Sequence, residues 1–168
     1  MMNLTLKQSG VRWLWLVPLL FVLDQLAKQA ILHGLPYGGP GITVLPFFNI
    51  IHVYNTGAAF SFLADQGGWQ RWLFALFAIG VSACMVGALR RQPAAQWWSN
   101  LAYVLVIGGA LGNLFDRLVY GHVVDFLLFY WRGSYFPAFN LADCFITVGA
   151  VMIVIEGLRH KPAPKESA

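Results

Sequence analysis

The sequence predicts an all-α integral membrane protein, with four transmembrane helices and a small extracytoplasmic β platform. Three observations carry this expectation. Apolar residues make up 58% of the 168-residue chain and charged residues only 11%. A soluble domain carries about 25% charged residues, so a water-facing surface could not be covered. Four runs are each long enough to cross about 30 Å of hydrocarbon at 1.5 Å per residue. One connection between them is instead rich in β-branched and aromatic residues. The length fits a single membrane domain over residues 1–168.

The first span is expected over about 13–32, interrupted by Asp24 and Lys28. The second, about 72–89, reads WLFALFAIGVSACMVGAL and has no charge. The third, about 97–116, contains GGALG, a GxxxG spacing that lets helices pack closely. The fourth, about 138–157, carries Asp143 inside an apolar run. The first long connection, about 34–71, contains GITVLPFFNIIHVYN, whose residue types and flanking Gly and Pro favour short strands. It leads into NTGAAFSFL, where small residues permit close backbone approach. The second long connection spans about 117–137. Tryptophans near the span ends, among them Trp69, Trp72, Trp97, Trp98 and Trp131, fit an aromatic belt.

Lys7, Arg12, Arg90, Arg91, Arg159, Lys161 and Lys165 flank the two ends and the short middle connection. By the positive-inside rule both termini lie in the cytoplasm and the two long connections face outward. The net charge of +4 is therefore a basic cytoplasmic face, not a nucleic-acid footprint. A cleaved signal peptide is disfavoured, because Asp24, Gln25 and Lys28 stand where a small-residue cleavage site would be. Cys84 and Cys144 form no CxxC or paired framework and read as small buried residues.

The seven acids sort by local partners. Asp24 has Lys28 at i+4, on one helix face. Asp116 adjoins Arg117, but adjacent helical residues point apart. Glu156 has Arg159 and His160 one turn on. Glu166 lies in the polar tail, and Asp65 in the first outer loop. Two acids remain. Asp125, in GHVVDFLLFYW, has no Lys or Arg within four positions and only His122 as an ionisable neighbour. Asp143 has no Lys, Arg, His or other acid within ten positions, and Asn140 and Thr147 complete a polar stripe beside it. Both are expected near the outer boundary of their spans.

A charged carboxylate at a helix centre costs about 2.5–3.5 kcal/mol even on insertion scales. Two facing acids would share one proton, because like charges a few ångströms apart do not both ionise cheaply. One carboxylate can then take a proton from water while the other donates to a scissile carbonyl. The simpler reading is that each aspartate caps a helix or binds a backbone amide. HExxH is absent, which removes that zinc-protease signature. His122 with Asp125 supplies too few ligands for a metal site. There is no GxSxG context and no glycine-rich phosphate loop.

VYNTGAAFSFL (53–63), GGALGNLFDRLVYGHVVDF (108–126) and FPAFNLADCFITVGA (136–150), with FVLDQLAK (21–28), closely resemble the bacterial lipoprotein signal peptidases, or signal peptidase II. The resemblance covers nearly the whole chain in the same order. It implies an inner-membrane aspartyl endopeptidase that removes the signal peptide of prolipoproteins, cutting just before a diacylglyceryl-modified cysteine near the outer leaflet. It further implies Asp125 and Asp143 as the catalytic pair. Asn55, Gly57, Asn113, Arg117 and Asn140 would bind substrate, with Asp24 in support. Implied partners are the modified prolipoproteins and membrane lipid, with peptide antibiotics of the globomycin type as inhibitors. No cofactor or metal and a monomeric state are expected.

Asn113 and Arg117 are four residues apart and share a helix face. Arg117 can grip a substrate carbonyl or hold a polar loop. Asn55 and Asn140 can fix the substrate backbone or orient the acids, or serve as helix glue worth about 0.6 kcal/mol each. Two competing readings make different predictions. A small proton-coupled transporter needs polar residues at several depths. A non-enzymatic assembly factor would tolerate loss of both acids.

Overall fold

The computed structural model of the chain describes residues 4–57 and 68–159. A 3-10 turn, Gly10–Trp15, leads into α1 (Leu16–Gly34), followed by α2 (Gln70–Arg91), α3 (Trp97–Val119) and α4 (Leu141–Arg159). All four are long and apolar enough to cross a membrane. Pro18 is accommodated in the first turn of α1. Arg90 and Arg91 close α2, where cations complement the helix dipole. α3 is capped by Tyr120, whose N–H donates to the Asp116 carbonyl. Gly121 follows at φ 77°, the left-handed conformation that commonly terminates a helix.

Between α1 and α2 run β1 (Ile42–Leu45) and β2 (Phe48–Asn55). Between α3 and α4 run β3 (Val123–Trp131) and β4 (Ser134–Tyr135). They form one antiparallel sheet in the order β1-β2-β3-β4, at the end of the bundle where α1 and α3 finish. The strands expected in the first connection are present. The second connection, expected as a loop, holds the longest strand of the sheet. VVDFLLFYW is β-branched and aromatic, and its first four residues are buried. Asp125 therefore sits on a strand and not at the edge of a span.

The bundle inverts the burial pattern of a soluble protein. Leu19, Val22, Leu23 and Leu26 of α1, Leu76 and Phe77 of α2, and Val151 and Val154 of α4 are exposed. Asp24, Lys28, Asn113, Asp116, Asp125 and Asn140 are buried. Lipid solvates apolar side chains, so the polar groups turn inward to find partners. α3 is the central helix, packed against the other three. Its glycines permit this: a Cβ on Gly109 would strike the Ala142 carbonyl, and one on Gly112 the Asp24 carboxylate. The apolar core of Leu89, Val104 and Ile107 lies toward the opposite end, packed by Trp13, Leu14 and Val17. Cys84, expected to be buried, is exposed on α2, while Cys144 is half-buried. In a lipid-facing helix a small thiol needs no burial. Residues 58–63 of NTGAAFSFL, Asp65, His160, Lys161, Lys165 and Glu166 lie outside the described residues.

Candidate active site

The geometry around the two partnerless acids starts with helix capping. Asn140 precedes α4, and its side-chain Oδ1 accepts the Asp143 N–H at 3.0 Å. Asp143 Oδ2 accepts the Asn140 N–H in return at 3.2 Å. This is a reciprocal capping box, which satisfies donors that the first turn leaves open. The simpler expectation for Asp143 is thus met. Its other oxygen, Oδ1, accepts from Asn113 Nδ2 of α3 at 2.7 Å.

Sheet register brings in Asp125. Val53 of β2 lies opposite Asp125 of β3, which puts Asn55, two residues on, diagonal to the carboxylate on the same face. Asn55 Nδ2 donates to Asp125 Oδ2 at 3.0 Å. Next, the segment entering α4 pairs with β3: the Phe139 N–H donates to the Leu127 carbonyl, and the Phe126 and Leu127 N–H groups donate to the Phe139 carbonyl. Asn140 then lies beside β3, and its Nδ2 donates to Asp125 Oδ1 at 2.7 Å. One residue thereby touches both acids, through its side chain to Asp125 and its backbone to Asp143. Burial and the neighbouring Asp143 push the Asp125 carboxyl up to about 7, against the opposing pull of the Asn55 and Asn140 hydrogen bonds.

Arg117 lies one turn beyond Asn113. Its Nη1 donates to the Asn113 carbonyl and its Nη2 to the Gly57 carbonyl, both at 3.2 Å, while the guanidinium covers the Phe74 ring at 5.1 Å. Gly57 N–H donates to Asn55 Oδ1 at 3.0 Å. Of the two roles expected for Arg117, the structure displays the polar-loop contact, tethering the chain after β2 to α3.

A cavity of about 510 Å³ adjoins this network. Asn55, Asn113, Arg117, Asp125 and Asp143 line its polar wall, with Thr147 of the predicted stripe. Phe136, Phe139 and Ile146 contribute to its apolar wall. Val148, exposed on the outer side of α4, also lines it, so the cavity reaches the lipid-facing surface.

Asp24 does not touch the two acids. It pairs with Lys28 Nζ at 2.8 Å, as its spacing predicts, but Lys28 also pairs with Asp116 at 2.9 Å. Sequence reasoning missed Asp116 and Lys28 as part of one cluster. In the sequence Asp116 adjoins Arg117, its chain neighbour. The available signal was its position three residues after Asn113, on the same helix face.

Residues 16–159 match the sequence profile of the family described as signal peptidase (SPase) II. The chain is 62% identical to a lipoprotein signal peptidase of Aeromonas hydrophila subsp. hydrophila over 95% of this chain and 96% of that one. It is 58% identical to that of Tolumonas auensis, covering 98% and 100%, and 54% identical to that of Vibrio cholerae serotype O1, covering 98% of each. Its fold is similar to two solved structures titled as bacterial membrane enzymes. One has a TM-score of 0.81 at 26% identity, covering 100% of this chain and 99% of the other. The second has a TM-score of 0.77 at 27% identity, covering 96% and 100%. These matches leave the transporter reading without support, and with them the chain belongs to the signal peptidase II family of bacterial membrane proteases.

Proposed function

We propose that the chain is an aspartyl endopeptidase that removes the signal peptide of prolipoproteins just before the diacylglyceryl-modified cysteine, with Asp125 and Asp143 as its catalytic pair. The observation that carries this reading is the sharing of Asn140 by two carboxylates from different elements, on the wall of a cavity that reaches lipid. The pair holds one proton. The raised value of Asp125 favours that residue as its site.

In the reaction Asp143 takes a proton from water as the water oxygen bonds to the scissile carbonyl carbon. Asp125 gives its proton to the carbonyl oxygen. The resulting gem-diol collapses: the C–N bond breaks, the departing nitrogen takes the proton held by Asp143, and a diol hydroxyl returns one to Asp125. The protons balance over the cycle.

Asn55, Gly57, Asn113, Arg117 and Asn140 bind the substrate backbone or hold the acids for it, and Asp24 supports them. A membrane helix hides its scissile amides in its own hydrogen bonds, so the cleavage segment must unwind where polar groups can satisfy it. The opening toward lipid lets the diacylglyceryl chains stay in the bilayer. Lys7, Arg12, Arg90, Arg91 and Arg159 belong to the end opposite the sheet, which favours cytoplasmic termini and an outward-facing active site in the inner membrane. Membrane lipid is thus a partner, globomycin-type peptides are expected competitors for the cavity, and the unit is a monomer.

The test uses purified protein in lipid and a diacylglyceryl-modified prolipoprotein, scored by gel shift. Asp125→Asn and Asp143→Asn are each expected to abolish cleavage while the thermal melt persists, and unlipidated substrate should stay intact. A variant that cuts at wild-type rate would remove that acid from the mechanism.

A further inference from the structure

Behind Asn113 lies a buried ionic cluster that the chemistry above does not use. Lys28 is 1% exposed, and Asp24 and Asp116 are fully buried. The Lys28 ammonium has three partners: Asp24 Oδ2, Asp116 Oδ2, and Asn113 Oδ1 at 3.1 Å. Those are as many as its protons, and it has no acceptor. Asn113 can therefore offer it only the amide oxygen, an oxygen that also accepts from Asn140 Nδ2 at 3.2 Å. The Asn113 NH2 is left to point at Asp143 Oδ1. With the amide reversed, NH2 would face the ammonium and oxygen would face the carboxylate, two repulsive contacts at low dielectric.

The two acids of the cluster have a second set of contacts. Asp24 Oδ1 accepts the N–H of Ala142 at 2.9 Å, and Ala142 immediately precedes Asp143. Asp116 Oδ2 accepts the N–H of Val124 at 3.3 Å, and Val124 immediately precedes Asp125. Each acid of the cluster thus holds the amide N–H of the residue that precedes one member of the pair. Gln25 Nε2 braces both acids, at 3.1 Å from Asp24 Oδ2 and 2.9 Å from Asp116 Oδ1. A buried ion pair is a poor source of stability compared with apolar packing, so its presence here calls for another role.

We propose that Lys28, with Asp24 and Asp116, is a positioning device: Lys28 sets the direction of the Asn113 amide, and the two acids fix the backbone that presents Asp143 and Asp125. Lys28 touches neither the pair nor the cavity, so it acts through Asn113. The proposal rests on Asp125 and Asp143 being the reacting pair.

The test is a double-mutant cycle in the lipidated-substrate assay, with kcat and KM separated and melts measured in parallel. Lys28→Met is expected to lower kcat on the order of 10²-fold, the scale of a small misplacement of reacting groups, with KM little changed. On an Asn113→Ala background the same change should add little further loss. Additive losses, an unchanged kcat, or an effect confined to KM would overturn the proposal. If Lys28→Met fails to fold, the triple Asp24→Asn, Lys28→Met, Asp116→Asn leaves no charge unpaired and keeps an amide oxygen for Ala142 and Val124. It should show the same kcat loss and the same lack of additivity, and a wild-type kcat there would also overturn the proposal. Asp125→Asn run alongside separates the two levels. If it cuts normally, the reacting pair is wrong and the positioning role falls with it. If it is inactive while Lys28→Met cuts normally, only the positioning role falls.

Discussion

At the scale of single residues, asparagines stand where cations would be expected. Neither Asp125 nor Asp143 has an ion-pair partner among the described residues. Asn55, Asn113 and Asn140 supply neutral donors instead. A cation in direct contact would hold both acids ionised, whereas amides leave a shared proton possible. The Asp125 carboxyl rises from its ordinary 3.8 to about 7, and this has a signed consequence. Below pH about 4 the group is protonated whether folded or unfolded. Between about 4 and 7 the unfolded chain releases the proton while the folded site keeps it, so the stability this site contributes shrinks as pH rises and is lost above about 7. The Tm of wild type relative to Asp125→Asn should therefore fall from pH 4 to 7 and then level. A difference independent of pH would contradict the raised value. Cleavage should fall as pH rises through about 7, because Asp125 then loses the proton that the proposed mechanism assigns it to donate.

At the scale of elements, the start of α4 joins a structural task to the proposed chemical one. The box formed by Asn140 and Asp143 starts α4 and also aims an acid at the cavity. Serine retains an N-cap oxygen but has no NH2 to give Asp125 and Asn113. Asn140→Ser should therefore keep stability within about 1 kcal/mol, since replacing one good cap by another costs little. Its cleavage rate should nevertheless drop by more than about tenfold, the scale of one misplaced catalytic group. Asn140→Ala should lose both, with about 1 kcal/mol of stability gone with the cap. Equal activity in the serine variant and wild type would assign Asn140 to capping alone.

At the scale of the whole molecule, polar groups face in, apolar groups face out, and Lys7, Arg12, Arg90, Arg91 and Arg159 lie at the end away from the sheet. In the proposed orientation, the positive-inside rule puts that end in the cytoplasm. On a Cys84→Ala, Cys144→Ala background, Ser134→Cys in β4 should react with an impermeant maleimide in intact spheroplasts. Ala95→Cys, between α2 and α3, should react only after lysis. Both positions are exposed, so the reverse pattern would invert the orientation and put the active site on the cytoplasmic side.

The apolar runs, the sparse charges and the two acids without local cations were all legible along the chain. Spans need only length and composition, and a missing i+4 partner is a local property. The pairing of Asp24 with Lys28 was legible for the same reason. The strand under Asp125 was harder to see, because a short apolar run has no period that separates a strand from the end of a helix. Only tertiary structure could decide that Asn140 touches both acids, that Asp116 shares Lys28 across two helices, and that Asn113 is held between the cluster and Asp143. The contacts of Asn140 with Asp125, Asn113 with Asp143 and Lys28 with Asn113 join residues 15, 30 and 85 positions apart. Packing creates such proximity: glycines on α3 let the helices close until buried polar groups must satisfy one another, and no local pattern in the chain records which of them will meet.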